Sequence, residues 1–157
     1  MAIFEAKEIF KFAIRIEENG EEFYRFASNL ADDEETKKIF NYLGDEEVKH
    51  KKTFTRLLSE ITKDVSFESY SDEYMDYLRC YVDNVIFTDE ELEKQKKEVK
   101  DVLSAIKFAM QKELDSVLYY HEVEKFVSPQ QKDLIEEIIA EERKHYAKLS
   151  EMKKNLN

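Results

Sequence analysis

Glu47-Val48-Lys49-His50 and Glu142-Arg143-Lys144-His145 place a carboxylate and an imidazole three positions apart, twice in one chain. On a helix that spacing is about one turn, so each pair shares a face. His50 falls between Leu43, Phe54 and Leu57, and His145 between Ile138, Leu149 and Met152, so both pairs interrupt apolar stripes. Two further acids do the same: Glu17 stands on the stripe of Phe10, Ala13 and Tyr24, and Glu113 on that of Ile106, Ala109 and Tyr120. Acids turned toward a core are costly unless something neutralises them. Four carboxylates with two imidazoles form a donor set for two divalent or trivalent cations. Hard oxygens beside imidazole suit iron or manganese better than calcium or structural zinc. A buried hydrogen-bonded network without metal is the alternative reading of the same six residues.

Such residues need long, regular elements to hold them. Residues 3–31 carry apolar groups at helical spacing (Ile3, Phe4, Phe10, Ala13, Ile14, Phe23, Tyr24, Ala27, Leu30), which predicts a first helix. Asp32 and Asp33 supply an N-cap, with Glu34 and Glu35 in the first turn, for a second helix over about 34–62. A third periodic run predicts a helix over 101–127. Ser128-Pro129-Gln130-Gln131 then opens a fourth, over 129–154, with Ser as the cap, Pro at the first position and Gln reaching back. The crossover, 63–100, holds Phe67, Tyr70, Tyr74, Tyr77, Tyr81 and Phe87, and Thr88-Asp89-Glu90-Glu91 reads as a capping box. Short helices are expected within it, either as packing over the bundle or as a lid above a ligand. The expected fold is all-α, a single domain over 1–157: a four-helix bundle of two helical hairpins joined by a long crossover.

The two halves resemble copies of one hairpin. Glu113 and Tyr120 stand 96 positions after Glu17 and Tyr24, and Glu142 and His145 stand 95 after Glu47 and His50. Helices of an antiparallel hairpin face each other at equal distance from their turn. At a rise of ~1.5 Å per residue, all four acids then fall within about one turn of the same height. His121, one residue past Tyr120, reads as a surface histidine.

Composition narrows the classes further. The chain has 157 residues, 39% of them charged, with two glycines and one proline, too few for the turns of a many-stranded sheet. A net charge of −11 opposes docking on nucleic acid or an anionic membrane. The single Cys80 makes no intramolecular disulfide or zinc ribbon. With no apolar run near the ~20 residues of a membrane span and an acidic start unlike a signal peptide, a cytoplasmic location is expected.

Taken together, Glu17-x-x-Gly20-x-x-Phe23-Tyr24, Glu47-x-x-His50, Glu113-x-x-Ser116-x-x-Tyr119-Tyr120 and Glu142-x-x-His145 resemble the signature of the ferritin-like di-iron carboxylate superfamily. Within it the chain resembles the rubrerythrin-type domain without the rubredoxin domain, over both hairpins, 3–62 and 101–154. The resemblance implies two iron ions, with manganese or a mixed pair as variants. It implies that Glu47 and Glu142 bridge them, that Glu17 with His50 and Glu113 with His145 complete one ion each, and that Tyr24 and Tyr120 hydrogen-bond the ligands. No catalytic residue beyond these is assigned. The implied function is a redox reaction with hydrogen peroxide or dioxygen, as peroxidase or ferroxidase. Non-catalytic iron binding or storage, or a helical module with a vestigial site, are the alternatives. The implied partners are an external electron donor such as a rubredoxin-like protein and a second copy of the chain in a homodimer. One departure stands out: rubrerythrins proper carry a further Glu where this chain has Ser116, which leaves a symmetric site more like that of bacterioferritins.

Overall fold

The computed structural model describes residues 6–61 and 70–156. Ile3, Phe4 and Phe67 lie outside the described residues. Six α-helices follow one another: α1 Ala6–Leu30, α2 Glu34–Glu60, α3 Asp72–Val85, α4 Asp89–Glu98, α5 Val102–Val123 and α6 Pro129–Asn155. The described residues contain no strand. No helix among them is long and apolar enough to cross a membrane. The all-α bundle expected from the sequence is therefore the fold, with α3 and α4 as the helices of the crossover.

Local chemistry sets the boundaries. Asp33 caps α2 by accepting from the Thr36 amide, and Thr88 with Glu91 forms a reciprocal capping box at α4. Ser128 and Gln131 do the same at α6, with Pro129 at its first turn. The third long helix ends earlier than its periodicity suggested. After Val123 the chain tightens into a 3-10 turn, Glu124–Phe126, and Val127 and Ser128 are extended. Proline disfavours helical backbone in the residue before it, so Ser128 must leave the helix ahead of Pro129.

α1 packs along α2 and α5 along α6, and α1 meets α5 between the hairpins. Their apolar stripes form two separate clusters. One gathers Phe10, Ala13, Phe54, Leu57, Tyr120 and Ile135 with Met75 and Leu78 of α3. The other gathers Phe23, Tyr24, Phe40, Leu43, Ile106 and Leu149. Between them every long helix contributes acid or imidazole: Glu17 after Ala13, Glu47 and His50 between Leu43 and Phe54, Glu113 after Ala109, Glu142 and His145 between Ile139 and Leu149. A polar layer thus lies at mid-bundle, sealed by hydrophobic packing on both sides.

Candidate metal centre

All six polar side chains of that layer are buried, Glu17 and Glu142 completely. Their ligand atoms fall into two overlapping groups, Glu17, Glu47, His50 and Glu142, and Glu47, Glu113, Glu142 and His145, each with its atoms within 4.8 Å of one another. Glu47 and Glu142 belong to both. His50 Nδ1 lies 2.9 Å from Glu142 Oε1 and 3.5 Å from Glu17 Oε2. His145 Nδ1 lies 3.1 Å from Glu142 Oε2, 3.5 Å from Glu47 Oε1 and 3.7 Å from Glu113 Oε1. The imidazoles stack at 5.7 Å between centroids, one for each group.

Two tyrosines cross between the hairpins to hold the outer carboxylates. Tyr24 of α1 donates its hydroxyl to Glu113 of α5, and Tyr120 of α5 donates to Glu17 of α1. Each hydroxyl satisfies one carboxylate oxygen and leaves the rest of the group facing the centre. Burial and the neighbouring carboxylates push both phenols well above their usual range, so they remain donors.

A further carboxylate, Glu141, is absent from the sequence reading. Its Oε2 lies 2.6 Å from His50 Nε2, the ring nitrogen turned away from the cluster. That contact orients the imidazole and raises its basicity as a donor. Its counterpart in the other hairpin, Glu46, pairs instead with Lys49 Nζ at 2.5 Å, so the two halves differ outside the ligand set. The position immediately before each Glu-x-x-His glutamate was the available signal. Changing Glu141 to Gln is expected to weaken one metal of the pair by roughly 10–100-fold, the usual cost of losing such a partner. Stepwise metal titration by calorimetry reads it, with one binding step shifted and the other retained.

Gly20 explains how Glu47 reaches the centre. A Cβ there would lie 3.0 Å from Glu47 Oε2 and 3.2 Å from its Cδ and Cγ, so the helices approach across a bare backbone. Gly20→Ala should gain up to ~1 kcal/mol of helix propensity while displacing the shared carboxylate. The expected result is an equal or higher melting temperature of the metal-free protein with weaker metal binding, measured by circular dichroism and titration on the same sample.

The donor chemistry fits a pair of metal ions. Among the described residues six buried side-chain atoms lack a well-aligned hydrogen bond, and four of them, Glu17 Oε2, Glu47 Oε1, His50 Nδ1 and Glu142 Oε1, belong to the cluster, the others being Asn19 Oδ1 and Glu124 Oε1. Buried polar atoms left without good hydrogen bonds are costly, and a cation among them would remove the cost. Without one, the layer holds protons. Burial and Glu142 push Glu113 up to about 8, and burial with a neighbouring carboxylate pushes Glu17 and Glu47 upward too. Burial alone would lower His50, but Glu142 and Glu17 outweigh it and raise it to about 12. Glu113, Glu142 and Glu47 likewise outweigh burial and raise His145. Glu142 alone ends below its usual value. Burial and Glu47 act upward on it, and its contacts with Glu113, His145 and His50 prevail.

Four long helices that deliver two carboxylates singly and two as Glu-x-x-His to one buried layer define a ferritin-like carboxylate bundle. The Rubrerythrin family model matches residues 8–153, and the chain belongs to the rubrerythrin family. A crystal structure of a candidate ferritin-like diiron-carboxylate protein from Thermotoga maritima is similar in fold, with a TM-score of 0.73 and 27% sequence identity. That match covers 100% of this chain and 99% of the other. No curated protein sequence matches the chain.

Proposed function

We propose that the protein is a di-iron oxidoreductase that reduces hydrogen peroxide or dioxygen, with Glu17, Glu47, His50, Glu113, Glu142 and His145 holding the iron. The observation that carries this reading is the pair of overlapping donor groups with Glu47 and Glu142 common to both. Six oxygen and imidazole donors suit iron, with manganese the nearest competitor. Iron bound there supplies one electron per ion and a Lewis-acidic face toward an oxygen substrate.

The chain's own residues set the conditions for that chemistry. Phe54 and Tyr120 on one side and Leu43 and Tyr24 on the other exclude bulk water and lower the local dielectric. Glu47 and Glu142, common to both donor groups, would balance charge on either ion of a bound pair. Tyr24 and Tyr120 fix the outer carboxylates, and Glu141 fixes His50.

A cavity supports the substrate class. It has a volume of about 40 Å³, and Glu47 and Glu113 form part of its wall together with Gly20, Ser116, Phe87 and Lys112. A water needs about 10–15 Å³ by that measure, so the space accommodates a molecule of a few atoms. Peroxide and dioxygen fit within it. The crossover covers it: Lys112 Nζ lies 4.0 Å from the Phe87 ring centroid and donates to the Val85 carbonyl, and Arg15 donates to the Phe87 carbonyl. In this reading the electrons for turnover come from an external donor such as a rubredoxin-like protein.

Anaerobic Fe(II) titration of the metal-free protein, followed by stopped-flow mixing with peroxide and with air, tests the reading. Saturation at two irons per chain with faster oxidation by peroxide defines a peroxidase, and faster oxidation by air a ferroxidase. Stoichiometric binding without oxidation by either would replace catalysis with iron binding. Failure to bind iron would overturn the proposal.

A further inference from the structure

The tyrosines of the crossover touch no metal-binding residue, yet they continue a file of rings that begins at the centre. Tyr120 donates to Glu17, and its ring lies 6.2 Å from that of Tyr119. Tyr119 stacks on Tyr81 at 5.9 Å with 13° between the planes, and Tyr81 lies 6.3 Å from Tyr77. Exposure rises along the file. Tyr120 and Tyr119 are buried, Tyr81 is half-buried, and Tyr77 is 48% exposed.

Packing alone does not explain four phenols in a row. The repeat supplies a comparison, because Phe23 stands where the second hairpin has Tyr119. The rings around Phe23 are Tyr24, Phe26 and Phe108, with Phe87 beyond. Outward from Tyr24, that side continues in phenylalanines, which fill space and resist oxidation. On the opposite side Phe54 also packs on Tyr120, but the file that leads outward through Tyr119, Tyr81 and Tyr77 carries a hydroxyl on every ring, and each inner hydroxyl has an acceptor for its proton. Tyr119 donates to the Ile9 carbonyl at 2.8 Å, and Tyr81 to the Asp115 carbonyl.

We propose that Tyr120, Tyr119, Tyr81 and Tyr77 form an outlet that carries surplus oxidising equivalents from the centre to the protein surface. The proposal rests on the redox reading of the centre given above. Reduction of one hydrogen peroxide to two waters takes two electrons and two protons. Once both iron ions have given their electrons and no donor protein is bound, a further peroxide has only the protein to oxidise. Its O–O bond breaks, two electrons and two protons are taken up at the centre, and two waters form. The electrons come from two tyrosines, whose O–H bonds break and leave two neutral phenoxyl radicals and two released protons. Each hole moves outward as an electron passes inward from the next ring, while the inner phenols return to their protonated state. The first hole comes to rest at Tyr77, where the proton leaves to solvent and a soluble one-electron reductant restores the phenol, and the second follows along the same file once Tyr77 is restored. Phenols yield electrons only to strong oxidants, so the file serves as an outlet and not as an entry for a low-potential donor.

The test loads the protein with iron, adds excess peroxide without air or donor, and follows three readouts. These are the absorbance of oxidised iron, the electron paramagnetic resonance spectrum, and the site of a nitrone spin-trap adduct mapped by mass spectrometry. The expected result is a phenoxyl signal with the adduct on Tyr77. Tyr119→Phe and, independently, Tyr81→Phe are expected to lose the Tyr77 adduct while iron oxidation keeps its rate. An adduct on Tyr77 that persists in both variants, or iron oxidation by excess peroxide with no phenoxyl signal, would overturn the outlet. Absence of iron binding or oxidation would overturn the redox reading of the centre instead, so the two failures are distinguishable.

Discussion

Replacing Glu47 and Glu142 together with alanine abolishes binding of two metal ions per chain and leaves the bundle helical. Both carboxylates belong to both donor groups, so the double change reduces one group to Glu17 and His50 and the other to Glu113 and His145. Two protein ligands do not retain iron against water at micromolar concentrations. The helices should survive. Alanine is the best helix former, and the change removes the repulsion between Glu47 and the carboxylates around it, which offsets the loss of Glu142's contacts with His50 and His145. The lost side-chain volume opens a cavity, which offsets part of that gain. Metal analysis after desalting and far-ultraviolet circular dichroism read the two halves of the prediction. Glu17→Ala, which touches one group only, should remove one ion and keep the other.

Metal loading should also raise the thermal stability of the protein, increasingly so as the pH rises. At a free metal concentration about a thousand times Kd, one site stabilises the folded state by ~4 kcal/mol. For a chain of this length each kcal/mol corresponds to roughly 2–4 °C, so the midpoint rises by roughly 8–16 °C. The pH dependence follows from the protons held by the empty layer. Glu113 titrates near 8 when folded, far above the 4.5 of an exposed glutamate, and Glu17, Glu47, His50 and His145 shift in the same direction. The folded metal-free protein therefore binds more protons than the unfolded chain, and it loses stability as the pH rises from about 5 through 8. Glu142, which shifts the other way, reduces this slope without reversing it. Metal binding expels the same protons, so affinity rises over that interval. Scanning calorimetry of loaded and metal-free protein at pH 5.5 and 8 should show a gap between midpoints that widens at the higher pH. A gap that narrowed would mean that the layer is not protonated when empty.

Much of this arrangement was legible in the sequence because helical periodicity is regular. Glu17 and Glu113 interrupt stripes that are otherwise apolar, and equal distance from each turn places them level with Glu47 and Glu142. The same regularity hid Glu141, which supports His50. Glu141 lies on an exposed face by periodicity, and its contact with His50 crosses from α6 to α2, which depends on the distance and rotation between hairpins. The family resemblance implies that Tyr24 and Tyr120 hydrogen-bond the ligands, but the crossing of their donations, Tyr24 to Glu113 and Tyr120 to Glu17, depends on how α1 meets α5. In the crossover the tyrosine spacing indicated a helix but not its neighbour. The stacking of Tyr81 on Tyr119 is a tertiary contact with no signature in either segment. The early end of α5 was readable in principle, since Ser128 precedes a proline, yet the apolar spacing of Val123, Phe126 and Val127 continued past it.

The central claim is that one buried layer holds two metal ions between the two overlapping groups. Anomalous diffraction at the iron absorption edge, from crystals of protein loaded anaerobically with Fe(II), tests it most directly. Two peaks should appear at mid-bundle, one beside His50 and Glu17 and the other beside His145 and Glu113, with Glu47 and Glu142 contacting both. No peak in that layer, or iron bound only at surface acids, would contradict the account and leave the six residues as a proton-sharing structural network.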